Sequence, residues 1–167
     1  MLLPPVLLLF GSCGFADMVR YDTYPSPFGN LLIGWEGDMV VSLKLGESDS
    51  KDSSPVSKLA TAQLQEYFSG NRKCFTFPME LRGTPFQISV WEALSQIPYG
   101  ETVTYKDIAW AIGNEKAVRS VGMACNRNPI WIAIPCHRVV GANQKLTGYA
   151  GGISMKEALL KLECATK

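Results

Sequence analysis

The chain has one histidine and five cysteines, Cys13, Cys74, Cys125, Cys136 and Cys164. The histidine directly follows a cysteine in the run Ile134-Pro135-Cys136-His137-Arg138-Val139-Val140. A free thiol has a pKa of about 8.5 and becomes a nucleophile when a base or a positive charge favours the thiolate. His137 and Arg138 supply both kinds of group in the next two positions. Adjacent side chains diverge in regular structure, so a bridging water is expected between Cys136 and His137 rather than a direct hydrogen bond. Pro135 ends the apolar run Ile130-Trp131-Ile132-Ala133-Ile134, which forms a rigid lead-in to the thiol. A bland reading competes, because free cysteine is commonly buried as a small apolar side chain.

An odd number of cysteines without C-x-x-C spacing argues against a disulfide framework and for a reducing compartment, in which such a thiol survives. With a single histidine and no paired cysteines, the soft ligands of a structural or catalytic zinc site are missing, and no metal is expected. At 167 residues and 47% hydrophobic composition the chain can bury a core and is not a disordered polymer. Net charge is +1, but unevenly spread: residues 1–100 carry 7 basic and 10 acidic side chains, residues 101–167 carry 9 and 5. The C-terminal part is therefore the candidate surface for a polyanion, although a solvated face with a modest basic excess reads the same way. The first sixteen residues, Met-Leu-Leu-Pro-Pro-Val-Leu-Leu-Leu-Phe-Gly-Ser-Cys-Gly-Phe-Ala, have the apolar character of a secretion signal, yet no Lys or Arg precedes Arg20. Residues 1–17 are read as an apolar leader or, the favoured alternative, as an upstream extension of a chain starting at Met18. The stretch is too short to span a membrane.

These residues must be positioned by the elements around them. Tyr21–Tyr24, Leu31–Trp35 and Met39–Leu45 are strand-like pieces broken by Pro25-Ser26-Pro27-Phe28-Gly29-Asn30 and Glu36-Gly37-Asp38, a pattern of antiparallel hairpins. Val56–Phe68 has helical spacing and is stopped by Gly70-Asn71, and Phe75–Leu81 reads as a further extended piece. This gives a small N-terminal α+β domain over 18–80, a linker at Arg82-Gly83, and a mostly helical domain over 83–167. Thr84-Pro85-Phe86-Gln87 has the N-cap, Pro and Gln of a capped helix start. Thr104-Tyr105-Lys106-Asp107 starts a second helix through Ile112, Gly113 turns the chain, and Asn114 is expected to cap a third helix over 115–125 with Val118 and Val121 facing the core. Two short helices across a glycine turn resemble a helix-turn-helix, a motif shared by many αα-hairpins without DNA. Ala117 and Ser120 are small enough to allow close backbone approach to DNA or to another helix. Ser154-Met155-Lys156-Glu157 reads as the capping box of a last helix carrying Glu163.

The run Pro135-Cys136-His137-Arg138-Val139-Val140, with Asn128-Pro129 before it and Gly148-Tyr149-Ala150-Gly151-Gly152 after it, closely resembles the O6-alkylguanine-DNA alkyltransferases. The likeness covers about 83–163 well, whereas the N-terminal part agrees in its Pro-Phe-Gly hairpin. It implies an α+β fold: an N-terminal antiparallel-sheet α/β-roll domain and a helical domain with a winged helix-turn-helix. It further implies direct DNA repair, in which an alkyl group passes once and irreversibly from O6 of guanine, and from O4 of thymine, to the protein's own cysteine. No cofactor is needed, and the implied protein is a cytoplasmic monomer, nuclear in a eukaryote, that acts on double-stranded DNA.

Carried over residue by residue, Cys136 matches the acceptor, His137 the water-linked base, Glu163 the carboxylate that orients it and Asn128 the brace of the cysteine turn. Tyr105 matches the donor to guanine N3. Tyr149, Ala150, Gly151 and Gly152 match the pocket lid, and the carbonyls of Cys136 and Val139 the readers of the exocyclic amine. Arg119 matches the finger that fills the space left when the target base is rotated out of the stack. The resemblance also places the second helix of the motif in the minor groove, with weak sequence dependence. Lys106, Lys116, Ala117, Ser120, Arg127, Arg138 and Lys145 are candidate DNA contacts. Many relatives read Gly-Asn-Pro-x-Pro where this chain reads Arg127-Asn128-Pro129-Ile130-Trp131, so Trp131 stands at the pocket wall and bears on the size of alkyl group accepted. The rival reading is an alkyltransferase-like protein that binds the lesion without transfer; such proteins typically lack the cysteine present here. A cysteine hydrolase would need a second, distant histidine, and there is none.

Overall fold

The computed structural model describes residues 18–50 and 52–166; the apolar leader and Cys13 lie outside them. Three strands, β1 (Arg20–Ser26), β2 (Gly29–Glu36) and β3 (Met39–Leu45), form an antiparallel sheet in the order β1-β2-β3. Its two hairpins turn at the Pro27-Phe28 and Gly37-Asp38 pairs, and Gly29 and Gly37 take the positive φ angles that tight turns require. Leu31, Ile33, Val40 and Leu43 are fully buried on one face. Against that face packs α1 (Pro55–Phe68), started by a reciprocal Ser54–Ser57 capping box and burying Val56, Ala60, Leu64 and Tyr67. Phe75–Leu81 is no strand: only a bridge of Met79 to Val40 forms, because Pro78 offers no amide to a ladder.

The C-terminal half begins with α2 (Pro85–Ser95), whose Thr84 and Gln87 form the expected capping box. A two-residue strand β4 (Val103–Thr104) runs into α3 (Tyr105–Ala111), capped reciprocally by Thr104 and Asp107. Gly113 makes the turn at φ 71°. The segment after this turn differs from a single capped helix. Glu115–Ala117 is one turn of 3-10 helix, α4 spans Val118–Asn126, and Asn114 makes no side-chain capping bond because its φ of −134° and ψ of 73° carry the side chain away. Val121 is fully buried as expected, but Val118, at the first position of α4, is 37% exposed. The α3-turn-α4 pair has helix-turn-helix form, and the Trp91 indole of α2 holds α4 by donating to the Ala124 carbonyl.

A 3-10 turn over Cys136–Arg138 leads into β5 (Val139–Val140), which pairs in parallel with β4. The last helix, α5 (Ile153–Ala165), has Gly152 as N-cap at φ 89° and no side-chain cap, so Ser154 lies inside its first turn and no Ser154–Glu157 capping box exists. One hydrophobic core joins both halves, from Ile33 and Leu64 to Val121, Ile134 and Leu159. No helix among the described residues is long and apolar enough to cross a membrane.

Candidate active site

Cys136 reaches its position through an unusual stretch of backbone. The β3 residue Leu43 exchanges two hydrogen bonds with the segment before the cysteine, its amide donating to Pro129 O and its carbonyl accepting from the Trp131 amide. The chain then turns sharply: Ile132 has φ 69°, and the amides of Ile134 and Cys136 donate back to the carbonyls of Ile130 and Ile134. A β-branched residue in the left-handed region costs on the order of 1–3 kcal/mol and persists only where its surroundings dictate it. Here the fully buried Ile130 and nearly buried Ile132 and Ile134 anchor the loop in the core.

Asn128, 1% exposed, completes the turn. Its Nδ2 donates to Ile134 O at 2.8 Å and to Cys136 Sγ at 3.1 Å, while its Oδ1 accepts from the Ile130 amide at 3.0 Å. Burial pushes the Cys136 thiol up to about 11, and the Asn128 hydrogen bond and the nearby Lys156 charge offset only part of that. At neutral pH the sulfur is therefore a thiol that must lose its proton as it reacts.

His137, fully buried, binds Glu163 of α5 through Nε2 to Oε1 at 2.7 Å. Burial alone would raise the Glu163 carboxyl, but hydrogen bonds from His137 and Arg138 and the Arg138 charge hold it far below the usual carboxylate range. An ionised carboxylate only accepts, so Nε2 carries the proton and Nδ1 keeps a free lone pair. Nδ1 is buried with no hydrogen-bond partner among the described residues. Burial also pulls the imidazole below its ordinary value, against the opposing pull of Glu163, so the ring is neutral and able to accept a proton. No direct bond joins His137 to Cys136, in keeping with their divergence along the 3-10 turn.

Arg138 departs from its expected place on DNA. It is 6% exposed and turned inward, with Nε and Nη2 on Glu163 at 2.8 and 3.0 Å and Nη1 on Ile97 O at 2.7 Å. A guanidinium turned inward onto a buried carboxylate, and itself nearly buried, is not presented to phosphate. The other expected contacts, Lys106, Lys116, Arg119, Ser120, Arg127 and Lys145, are all exposed, and Ala117 is half-buried.

The expected base-binding residues have partners of their own. Tyr105, at the start of α3, donates its hydroxyl to Thr147 O at 3.1 Å. Trp131 donates its indole to Asn128 O at 3.0 Å and packs against Tyr149 at a centroid distance of 5.8 Å. Ala150 is exposed and Gly151 half-buried. Cys136 O accepts from the Val139 amide and Val139 O from Lys156 Nζ, so each carbonyl retains one acceptor site. A cavity of ≈ 530 Å³ opens on the other face of the turn, beside Phe75, Ile97, Tyr99, Ile132 and Pro135; Tyr105, Tyr149 and Ala150 do not line it.

Sequence reasoning missed two residues here. Lys156, fully buried, spans Val139 O and Thr147 O at 2.9 Å for the latter, tying β5 to the lid segment. Tyr67, inside the helically spaced run Val56–Phe68, sends its hydroxyl to Glu163 Oε1 at 2.7 Å. The polar tip of a buried tyrosine was the one available signal, since it requires a partner.

Residues 85–165 match the family model described as 6-O-methylguanine DNA methyltransferase, DNA binding domain, and residues 19–81 match its ribonuclease-like domain. The constitutive methylated-DNA–protein-cysteine methyltransferase of Bacillus subtilis is 46% identical over 87% of this chain and 96% of its own length. That of Methanosarcina acetivorans is 48% identical over 86% and 97%. The crystal structure of Mycobacterium tuberculosis OGT in complex with DNA superimposes with a TM-score of 0.82 at 45% identity, covering 87% of this chain and 93% of that one. With the cysteine turn, its buried histidine–carboxylate pair and both family domains in sequence order, the chain belongs to the 6-O-methylguanine DNA methyltransferase family.

Proposed function

We propose that this chain repairs DNA directly by taking the alkyl group from O6 of guanine, or O4 of thymine, onto Cys136. The observation that carries this reading is the buried arrangement at one turn: Asn128 holds the Cys136 sulfur, and the next residue, His137, is locked to an ionised Glu163 with its Nδ1 lone pair free. The Cys136 proton passes through a water to His137 as the sulfur attacks the alkyl carbon. The S–C bond forms, the C–O6 bond breaks, and guanine leaves as an anion that takes up a proton. The thioether is stable, so each molecule acts once.

Tyr105 releases Thr147 O to donate to guanine N3, while the free acceptor sites of Cys136 O and Val139 O read the exocyclic amine and the Tyr149–Gly151 backbone receives O6. Arg119, exposed on α4, enters the minor groove as the base rotates out, and Lys106, Lys116, Arg127 and Lys145 hold the phosphates. The protein is read as a monomer of two domains, 18–80 and 83–167, working where thiols stay reduced and DNA is at hand: the cytoplasm, or the nucleus of a eukaryote. A lesion-binding protein without transfer has no use for a sulfur prepared in this way.

Incubation with a duplex containing O6-methylguanine should leave one methyl group on the peptide holding Cys136, read by mass spectrometry, and Cys136→Ala should abolish it. Repeated turnover, or tight binding without an adduct, overturns the reading.

A further inference from the structure

Glu163 accepts five hydrogen bonds, and one comes from the far end of the sequence. Its Oε1 receives His137 Nε2 at 2.7 Å, Arg138 Nη2 at 3.0 Å and the Tyr67 hydroxyl at 2.7 Å; its Oε2 receives Arg138 Nε at 2.8 Å and the Gly100 amide at 3.0 Å. Tyr67 belongs to α1, the helix that covers the N-terminal sheet, and lies 96 residues from Glu163. Its ring is fully buried and held by Phe68, Phe75 and Tyr99 at centroid distances of 5.4, 5.4 and 6.1 Å. The hydroxyl is thus placed by packing that does not itself depend on the bond to Glu163.

We propose that Tyr67 is a positioning residue for alkyl transfer: from the N-terminal domain, its hydroxyl occupies Glu163 Oε1 and sets how strongly that carboxylate draws on His137. The inference rests on the reading of Cys136 as acceptor and His137 as its base.

Three donors share Oε1, and each takes part of its charge. Removing the hydroxyl leaves more of that charge for His137, which favours imidazolium. A protonated ring cannot take the Cys136 proton, so transfer weakens on the acid side while the alkaline rate is nearly kept. The other groups facing this pair stay in place. They are Arg138 on the same turn, Tyr99 and the Gly100 amide after α2, Lys156 on α5, and Cys136, with Cys125 on α4 and Tyr149 beyond. Burial raises the Tyr67 hydroxyl far above its ordinary value, so it remains a donor throughout.

Tyr67→Phe keeps the ring and removes the donor. Single-turnover transfer from an O6-methylguanine duplex should fall severalfold at pH 6, approach a tenfold fall only at lower pH, and fall less than about twofold at pH 8.5, an acid limb displaced by roughly one pH unit. Affinity for that duplex should not change. In a Glu163→Gln background the same substitution should have no further effect on the profile. His137 is the single histidine, so ring-nitrogen NMR gives a readout apart from activity. The unaltered protein should show the Nε2–H tautomer, and Tyr67→Phe should take up a second ring proton at higher pH. An equal fall at every pH, an additive effect on Glu163→Gln, or unchanged His137 spectra each overturns the role of Tyr67. Absence of any adduct in the unaltered protein removes instead the reading on which it rests.

Discussion

The Asn128 amide and the Cys136 sulfur are joined at 3.1 Å, and that contact is one of three hydrogen bonds made by the same buried side chain. The same Nδ2 donates to Ile134 O and Oδ1 receives the Ile130 amide, so a single residue holds the start, the bend and the end of the lead-in to the sulfur. Ile132, at φ 69°, is the strained residue inside the loop so closed.

Asn128→Ala leaves the buried Ile130 amide unpaired, removes one of the two hydrogen bonds to Ile134 O and frees the strained loop. Stability should drop by about 1–3 kcal/mol in denaturant unfolding, and single-turnover transfer to Cys136 should slow by at least about tenfold. A variant of normal stability and rate would show that the loop holds its shape without the bracket.

Acid should destabilise the protein in two stages. His137 is kept neutral in the fold and titrates at about 6.5 when unfolded, so its contribution is complete above that value and declines below it. Glu163 is kept ionised in the fold and takes a proton at about 4.3 when unfolded; its contribution is present above that pH and is lost as pH falls toward its depressed native value. Calorimetric Tm should therefore decline from about pH 6.5 and more steeply below about 4.3. In Glu163→Gln the second stage should vanish, with a loss of about 3–5 kcal/mol at pH 7 because Arg138 is left buried without a counter-charge. A flat Tm between pH 7 and 4.5 would contradict the first stage, and one with no steeper fall below pH 4 the second.

At Gly151 an added Cβ would lie 2.6 Å from Met155 Sδ, 2.9 Å from Tyr149 Cε1 and 3.1 Å from Trp131 Cζ3. Gly151→Ala should cost about 1–3 kcal/mol by overpacking and displace the Tyr149 ring, and with Tyr149 in the proposed base-binding role transfer should fall. Trp131→Leu, by clearing one of the three neighbours, should restore part of the loss, and the pair should be non-additive in thermal unfolding. Independent effects would place the two residues outside a common wall.

Arg119→Ala removes an exposed side chain of α4 and no described hydrogen bond, so stability should stay within about 0.5 kcal/mol. Transfer from duplex DNA should slow about tenfold or more, while reaction with the free O6-methylguanine base should be unaffected, because only the duplex requires extrusion. Equal slowing of both substrates would remove the finger role.

Much of this molecule was legible in the sequence because the signals are local. Thr84 with Gln87 and Thr104 with Asp107 cap their helices within four residues, Gly37 and Gly113 turn the chain where a side chain would resist, and Pro135-Cys136-His137-Arg138 stands in one continuous run. The capping residues that failed, Asn114 and Ser154, had the right identity but the wrong backbone angles or register, which composition does not record. What tertiary structure alone decided was the partner of each buried polar group. Arg138 reads as a surface cation until Glu163, 25 residues on, fills its fork. Lys156 reads as a helix-surface lysine until two carbonyls receive it, and Tyr67 as an apolar helix position until its hydroxyl meets that same carboxylate. Burial makes an unpaired polar group costly, and the groups that satisfy it come from whichever segments the core brings together, so distance along the chain carries no trace of them.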